Sequence, residues 1–153
     1  MKSARPKVLH TLAGRSLLQH VLNAVAGLGA DRTLVIAGYG AEAVRTQVAE
    51  HGALGVLQEP QLGTGHAVQQ AVPHLPDAGT TLILNGDVPM IEADTAAALV
   101  AACGGTKLAL LTVELSDPTG YGRIVRDPGQ GDAVKAIVEH KDASTAQRAI
   151  REV

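Results

Sequence analysis

The chain has 153 residues, a formal net charge of −2, 46% hydrophobic residues and two aromatics, Tyr39 and Tyr121. That length supports one domain with a real core, which Leu, Val and Ala must fill without Phe or Trp. Near-neutral, interspersed charge argues against a nucleic-acid groove or a membrane surface, and the scarcity of aromatics against a base-stacking platform. Cys103 stands alone, so the chain has no internal disulfide framework or thiolate metal site; its small-residue helical surroundings suggest an inert core thiol. No apolar run reaches membrane-spanning length and no signal-peptide pattern opens the chain, so a reduced, cytoplasmic setting is expected.

Strand-like and helix-like stretches alternate along the first two thirds. Lys7-Val8-Leu9 reads as short and extended after Pro6. Ser16 opens a helix with Gln19 three residues on, a candidate capping box. Leu17, Leu18, Val21, Leu22, Val25 and Leu28 keep its period until Gly29. Thr33 to Ala37 reads as a strand closed by Gly38-Tyr39-Gly40, and Ala41 to His51 as the next helix. Val56-Leu57-Gln58 is a strand, Gly65 to Val72 a helix stopped by Pro73, Thr80 to Leu84 a fourth strand, and Asp94 opens a helix carrying Ala96 to Cys103. Continuous apolar strands between helices indicate an open, Rossmann-like doubly wound α/β domain. Its sheet is mostly parallel, with ligands outside the carboxyl ends of the strands.

After Leu115 the pattern changes. Leu108 to Leu115 reads as a strand and Ser116 to Gly122 as a turn-rich loop. Arg123-Ile124-Val125-Arg126 and Val134 to Glu139 flank Asp127 to Asp132 as a hairpin, and Ser144 to Arg151 resumes a helix.

The most informative run is Gln58-Glu59-Pro60-Gln61-Leu62-Gly63-Thr64-Gly65-His66-Ala67, between a strand and a helix. Gly63-Thr64-Gly65 offers free backbone N–H groups and a hydroxyl at a helix N-terminus, a setting that favours anions and the polar edge of a base. Taken alone, the same residues serve as turn chemistry. Asp87 follows the strand Leu82-Ile83-Leu84 through Asn85-Gly86. One carboxylate at such a strand end suits Mg²⁺ brought with phosphates, although Asn-Gly-Asp is also an ordinary turn. Lys7 could neutralise phosphate or be solvated surface. His66 could touch a ligand or be a hydrogen-bonded structural histidine, and the 6 histidines show no paired zinc spacing. Gly120-Tyr121-Gly122-Arg123 and Glu139-His140-Lys141-Asp142 suit a sugar pocket or a plain turn and strand end. Neither the P-loop nor the G-x-G-x-x-G pattern occurs, which disfavours P-loop NTPases and dinucleotide dehydrogenases.

Several strings in order resemble one family: Met1-Lys2-Ser3 with Pro6-Lys7-Val8-Leu9-His10, Gln61 to Ala67, Gly86-Asp87-Val88-Pro89, Asp117 to Ile124, and Ile137 to Asp142. Together they are similar to the uridyltransferase domain of the bifunctional GlmU family, an N-acetylglucosamine-1-phosphate uridyltransferase joined to a glucosamine-1-phosphate acetyltransferase. The resemblance implies a nucleotide-diphospho-sugar transferase fold. It also implies in-line attack of N-acetylglucosamine 1-phosphate on the α-phosphorus of UTP, releasing pyrophosphate, with Mg²⁺ as cofactor. Lys7 and Asp87 would be catalytic, Lys7 on phosphate and Asp87 on the metal. Gln58, Gly63 and Thr64 would hold the uracil, with Asn85 and Gly86 near the nucleotide; Asn85 stands where the family often has Tyr. Gly122 and Glu139 would line the N-acetylglucosamine pocket. The product would serve peptidoglycan and lipopolysaccharide synthesis in the cytoplasm, with no nucleic-acid or membrane partner, and a full-length member would be a homotrimer through its C-terminal domain.

The family begins with a strand and a glycine-rich L-x-A-G-x-G-T-R-M loop, which should already be ending where Met1-Lys2-Ser3 stands. Arg151-Glu152-Val153 stops just before its Asn-Thr-Gly segment. Residues 1–153 are therefore expected to be a partial nucleotidyltransferase domain, truncated at both ends, with unpaired inner strands and weak or no turnover of its own. Another sugar-1-phosphate nucleotidyltransferase, or a non-catalytic nucleotide-binding fragment, is the alternative reading.

Overall fold

Ser16 starts the first long helix as its sequence suggests. The hydroxyl accepts the Gln19 backbone N–H at 3.1 Å, and α1 runs over Leu17–Val25 before a 3-10 turn ending at Gly29. Only the Ser16 half of the expected capping box forms among the described residues, and the same hydroxyl also accepts the Gln47 side-chain amide. This computed structural model describes residues 5–129 and 133–153. Met1-Lys2-Ser3 of the resemblance and Gln130 to Asp132 of the hairpin loop lie outside the described residues. The chain divides into two compact units, Met1–Ala109 and Leu110–Val153.

In the first unit, Lys7–Leu9 is a 3-10 turn rather than a strand, closed by the His10 N–H on the Lys7 carbonyl. A small hairpin follows, β1 (Thr11–Leu12) with β2 (Arg15–Ser16), turning through Ala13 and Gly14 at positive φ. β3 (Leu34–Ala37) and β4 (Leu54–Leu57) pair in parallel from Leu34↔Leu54 to Ala37↔Leu57. Between them runs α2 (Ala41–Ala49), the crossover that a parallel pair requires. Gly40 enters α2 at φ +67°, and a Cβ there would strike the Pro6 ring, so glycine is required on both counts. α3 (Thr64–Ala71) and α4 (Ala93–Cys103) complete the unit. Leu9, Leu18, Leu22, Val44 and Val48 form the core, with Val8, Val35, Ala37 and Ala53 packed against them. Cys103 is half-buried at the end of α4, its thiol donating to the Lys107 carbonyl, rather than a core residue.

Among the described residues the sheets are three two-stranded ladders, not one wide doubly wound sheet. Thr80–Leu84 has the composition of a strand but joins no ladder, and Ile83 stays 57% exposed.

In the second unit, β5 (Arg123–Arg126) and β6 (Val134–Val138) form the expected hairpin, with an irregularity between Val125 and Arg126. The strand expected over Leu108–Leu115 pairs only at its end. Val113 exchanges both backbone hydrogen bonds with Val153, and the Leu115 N–H reaches the Arg151 carbonyl. The final helix contracts to α5 (Thr145–Arg148), opened by a complete Ser144–Gln147 capping box.

Candidate functional site

Two clusters of the predicted residues form in the first unit. At one, the Asn85-Gly86-Asp87 turn rests on the core. A Cβ on Gly86 would sit 3.4 Å from both Leu18 and Val8, and the Val88 N–H closes the turn on the Asn85 carbonyl at 3.2 Å. Val8 is the chain neighbour of Lys7. The ammonium of Lys7 donates to Asp87 Oδ2 at 2.5 Å across 80 residues of sequence. The side chains are 66% and 31% exposed, so the pair lies open to solvent. Its worth to the fold is small. Among the described residues, the Asn85 side chain makes no hydrogen bond.

The second cluster follows β4. Gln58 extends the parallel pair by donating its N–H to the Ala37 carbonyl at 2.9 Å. That bond sets its side chain at the carboxyl end of the two strands, where α/β sheets bind ligands. The Gln58 amide nitrogen donates to the Gly63 carbonyl at 2.9 Å and lies 3.2 Å from His66 Nδ1. Gly63 stands before α3 at φ +99°, a conformation that only glycine adopts without strain, and Ala67 closes the first helical bond on its carbonyl. The Thr64 hydroxyl has no partner among the described residues. Space is open where a Cβ on Gly63 or Gly65 would lie. The arrangement offers N–H groups, a hydroxyl and an amide around an open turn, donors and acceptors suited to the edge of a planar ligand.

In the second unit, Gly122 and Glu139 flank the end of the β5–β6 ladder, one residue beyond the Arg123↔Val138 pair. A Cβ on Gly122 would lie 4.0 Å from Glu139 Oε2 and 3.4 Å from Ile137, so the carboxylate stands beside a position kept bare. The Glu139 carboxylate has no partner among the described residues. Next to it, Arg123 is 1% exposed. Its guanidinium donates to the Tyr121 and Arg148 carbonyls and lies 3.4 Å from His140 Nδ1, which also accepts the Gly120 N–H. Arg123 therefore clamps the loop from beneath, while Tyr121, 57% exposed, remains at the surface. Thr119, through its side chain and its backbone N–H, holds the Asp117 carboxyl below its ordinary range, with Arg123 and His140 adding to the effect.

Sequence reasoning missed two things. One is the chain of contacts through His66 to Gln70, whose amide nitrogen lies 3.0 Å from His66 Nε2. The i,i+4 spacing on a helix was the available signal. The other is the burial of Arg123, for which the string Gly-Tyr-Gly-Arg carries no sign.

Among the described residues, no group of three or more His, Cys, Asp or Glu gathers to cage a metal. Asp87 offers one carboxylate, of which only Oδ2 is engaged among the described residues, by Lys7. That fits a divalent cation arriving with phosphate oxygens and keeping its waters, and does not fit a resident ion held by protein alone.

A solvent-open lysine–carboxylate pair and an open glycine turn after β4 thus stand in one α/β unit. Residues 1–123 match the model of the MobA-like NTP transferase domain, and the chain belongs to that family. It is 68% identical over 158 residues to the bifunctional protein GlmU of Methylibium petroleiphilum, an alignment covering 100% of this chain and 34% of the relative. The bifunctional proteins GlmU of Paracidovorax citrulli and Polaromonas naphthalenivorans are 60% and 58% identical, again over 100% of this chain, with 33% and 34% of the relatives covered. The chain thus spans about a third of the length of the curated relatives it matches. No helix among the described residues is long and apolar enough to cross a membrane.

Proposed function

We propose that this chain carries the nucleotide-handling site of a sugar-1-phosphate uridyltransferase, one that forms UDP-N-acetylglucosamine and pyrophosphate from UTP and N-acetylglucosamine 1-phosphate. The observation that carries the reading is the Lys7–Asp87 pair. An ammonium and a carboxylate joined in the open, between two turns that rest on the core, can exchange partners when a triphosphate and its cation arrive. Lys7 would then meet phosphate oxygen, and Asp87 would hold Mg²⁺. The cation's contribution when bound is charge neutralisation at the phosphates. Gln58, Gly63 and Thr64 face the uracil, and Asn85 and Gly86 flank the nucleotide. Gly122 and Glu139 receive the N-acetylglucosamine. These side chains bind and orient; none is needed to abstract a proton, because a sugar phosphate attacks as an anion. The full-length protein would work in the cytoplasm as a homotrimer, supplying cell-wall precursors.

Calorimetry of UTP binding to the 153-residue chain, with Mg²⁺ and with EDTA, tests the reading. Saturable binding that Mg²⁺ tightens, and that Asp87→Ala makes indifferent to Mg²⁺, is expected. Undetectable UTP binding, or Mg²⁺-dependent binding untouched by Asp87→Ala, would overturn it.

A further inference from the structure

The polarity of the Gln58 amide is fixed by its surroundings. A carbonyl can only accept, so the amide nitrogen must be the end that faces Gly63 at 2.9 Å. The second hydrogen of that nitrogen is within reach of His66 Nδ1 at 3.2 Å. Nδ1 must therefore present its lone pair, which puts the ring proton on Nε2. The Gln70 amide nitrogen lies 3.0 Å from Nε2 and 3.3 Å from the His66 carbonyl. A neutral imidazole accepts at one nitrogen only, so the two glutamines compete for it. Gln58 prevails, because its orientation is anchored by the shorter bond to Gly63. Gln70 turns its amide oxygen to the Nε2–H and gives up the longer bond. What remains is the Gln58 amide oxygen, an acceptor with no partner among the described residues, beside a turn left open by Gly63 and Gly65.

We propose that His66 is a positioning residue: as a second anchor beside the Gly63 carbonyl, it holds the nitrogen end of the Gln58 amide, keeps the free end an acceptor and so selects bases that present a ring N–H. Uracil presents N3–H. Cytosine presents a lone pair at the same atom and is repelled. This deepens the uridyltransferase reading and rests on it. Without the Nδ1 acceptor, the amide keeps the Gly63 carbonyl as its one anchor and turns more readily to serve either base.

The test is the ratio of UTP to CTP affinity, measured by calorimetry with Mg²⁺ on the parent chain, His66→Ala and His66→Asn. The parent should prefer UTP by about tenfold, since a polar contact mismatched on binding costs on the order of one hydrogen bond. His66→Ala should bring the ratio below about threefold, chiefly by weakening UTP, and His66→Asn, whose amide oxygen can replace the Nδ1 acceptor, should restore most of it. Should His66→Ala fail to fold, His66→Leu fills the ring's space without an acceptor and carries the same expectation. A merely structural His66 would weaken both nucleotides alike, and an unchanged ratio in the folded variant would overturn the inference while leaving the uridyltransferase reading intact. A parent chain that binds neither nucleotide would instead remove the reading itself.

Discussion

Charge is handled in opposite ways in the two units. In the first, Lys7 meets Asp87 Oδ2 with 66% and 31% of the two side chains exposed, and Asp87 Oδ1 has no partner among the described residues. In the second, Arg123 is 1% exposed and its guanidinium is spent on the carbonyls of Tyr121 and Arg148 and on His140, with Nε left unpaired. Arg126 and Glu152, 26 residues apart, form a two-pronged pair in the same unit, and Thr112 adds a third donor to the same carboxylate. A pair that is cheap to open suits partners that must change on ligand binding. A buried guanidinium among carbonyls suits a loop that must not move.

The largest expected effect comes from disturbing the buried member. Arg123→Lys keeps the charge but loses the planar fork, leaving a buried ammonium with too few partners. A loss of about 2–4 kcal/mol in urea unfolding followed by circular dichroism is expected. Arg123→Met should cost less, because it removes the charge along with its donors. Met proving worse than Lys would show that the charge itself, beside Asp117 and His140, holds the loop.

The exposed pair should respond the other way round. Lys7→Met should change unfolding free energy by less than about 1 kcal/mol, yet weaken Mg²⁺–UTP binding by about tenfold. A large stability loss with unaltered binding would make the pair structural and erase the contrast between the units.

Acid sharpens the same comparison. The hydrogen bonds from Arg126 and then Thr112 lower the Glu152 carboxyl from its ordinary 4.5 to about 2. Its pKa is depressed in the folded state, so its stabilisation is complete above pH 4.5 and is withdrawn as pH falls through about 2. The lowered Asp117 acts in the same sense. Thermal melts should therefore decline with acid across that window, and Glu152→Gln should lower the plateau and flatten the decline. An unchanged acid limb in Glu152→Gln would place the sensitivity elsewhere.

Local signals in the sequence correspond to local structure. Ser16 and Gly29 bound α1 and its 3-10 extension, and Gly63 introduces α3 where the Gly-Thr-Gly run suggested. Two misses have identifiable causes. The β1–β2 hairpin turns through Ala13-Gly14, and alanine at φ 49° is not a residue that advertises such a turn. Thr80–Leu84 has strand composition, but a ladder needs a neighbour, and composition does not provide one. The site residues were readable one by one as candidates. Their grouping was not, because the Lys7–Asp87 contact spans 80 residues and the burial of Arg123 depends on what folds over it.

The smallest expected effect on the fold probes the open turn. Gly63→Val would mix two causes, because φ +99° strains any side chain there whether or not a ligand is excluded. Gly65 separates them. It lies in the first turn of α3, its φ is not in the left-handed region, and nothing stands within 4 Å of where its Cβ would be. Gly65→Ala should therefore leave the fold unchanged or stabilise it by up to about 1 kcal/mol, through the better helix propensity of alanine. If a base approaches this backbone, the added methyl occupies the space it needs, and UTP affinity should fall severalfold while the melting temperature holds or rises. A variant that is stabilised and binds UTP as the parent does would move the base away from this turn, and with it the role argued for Gln58.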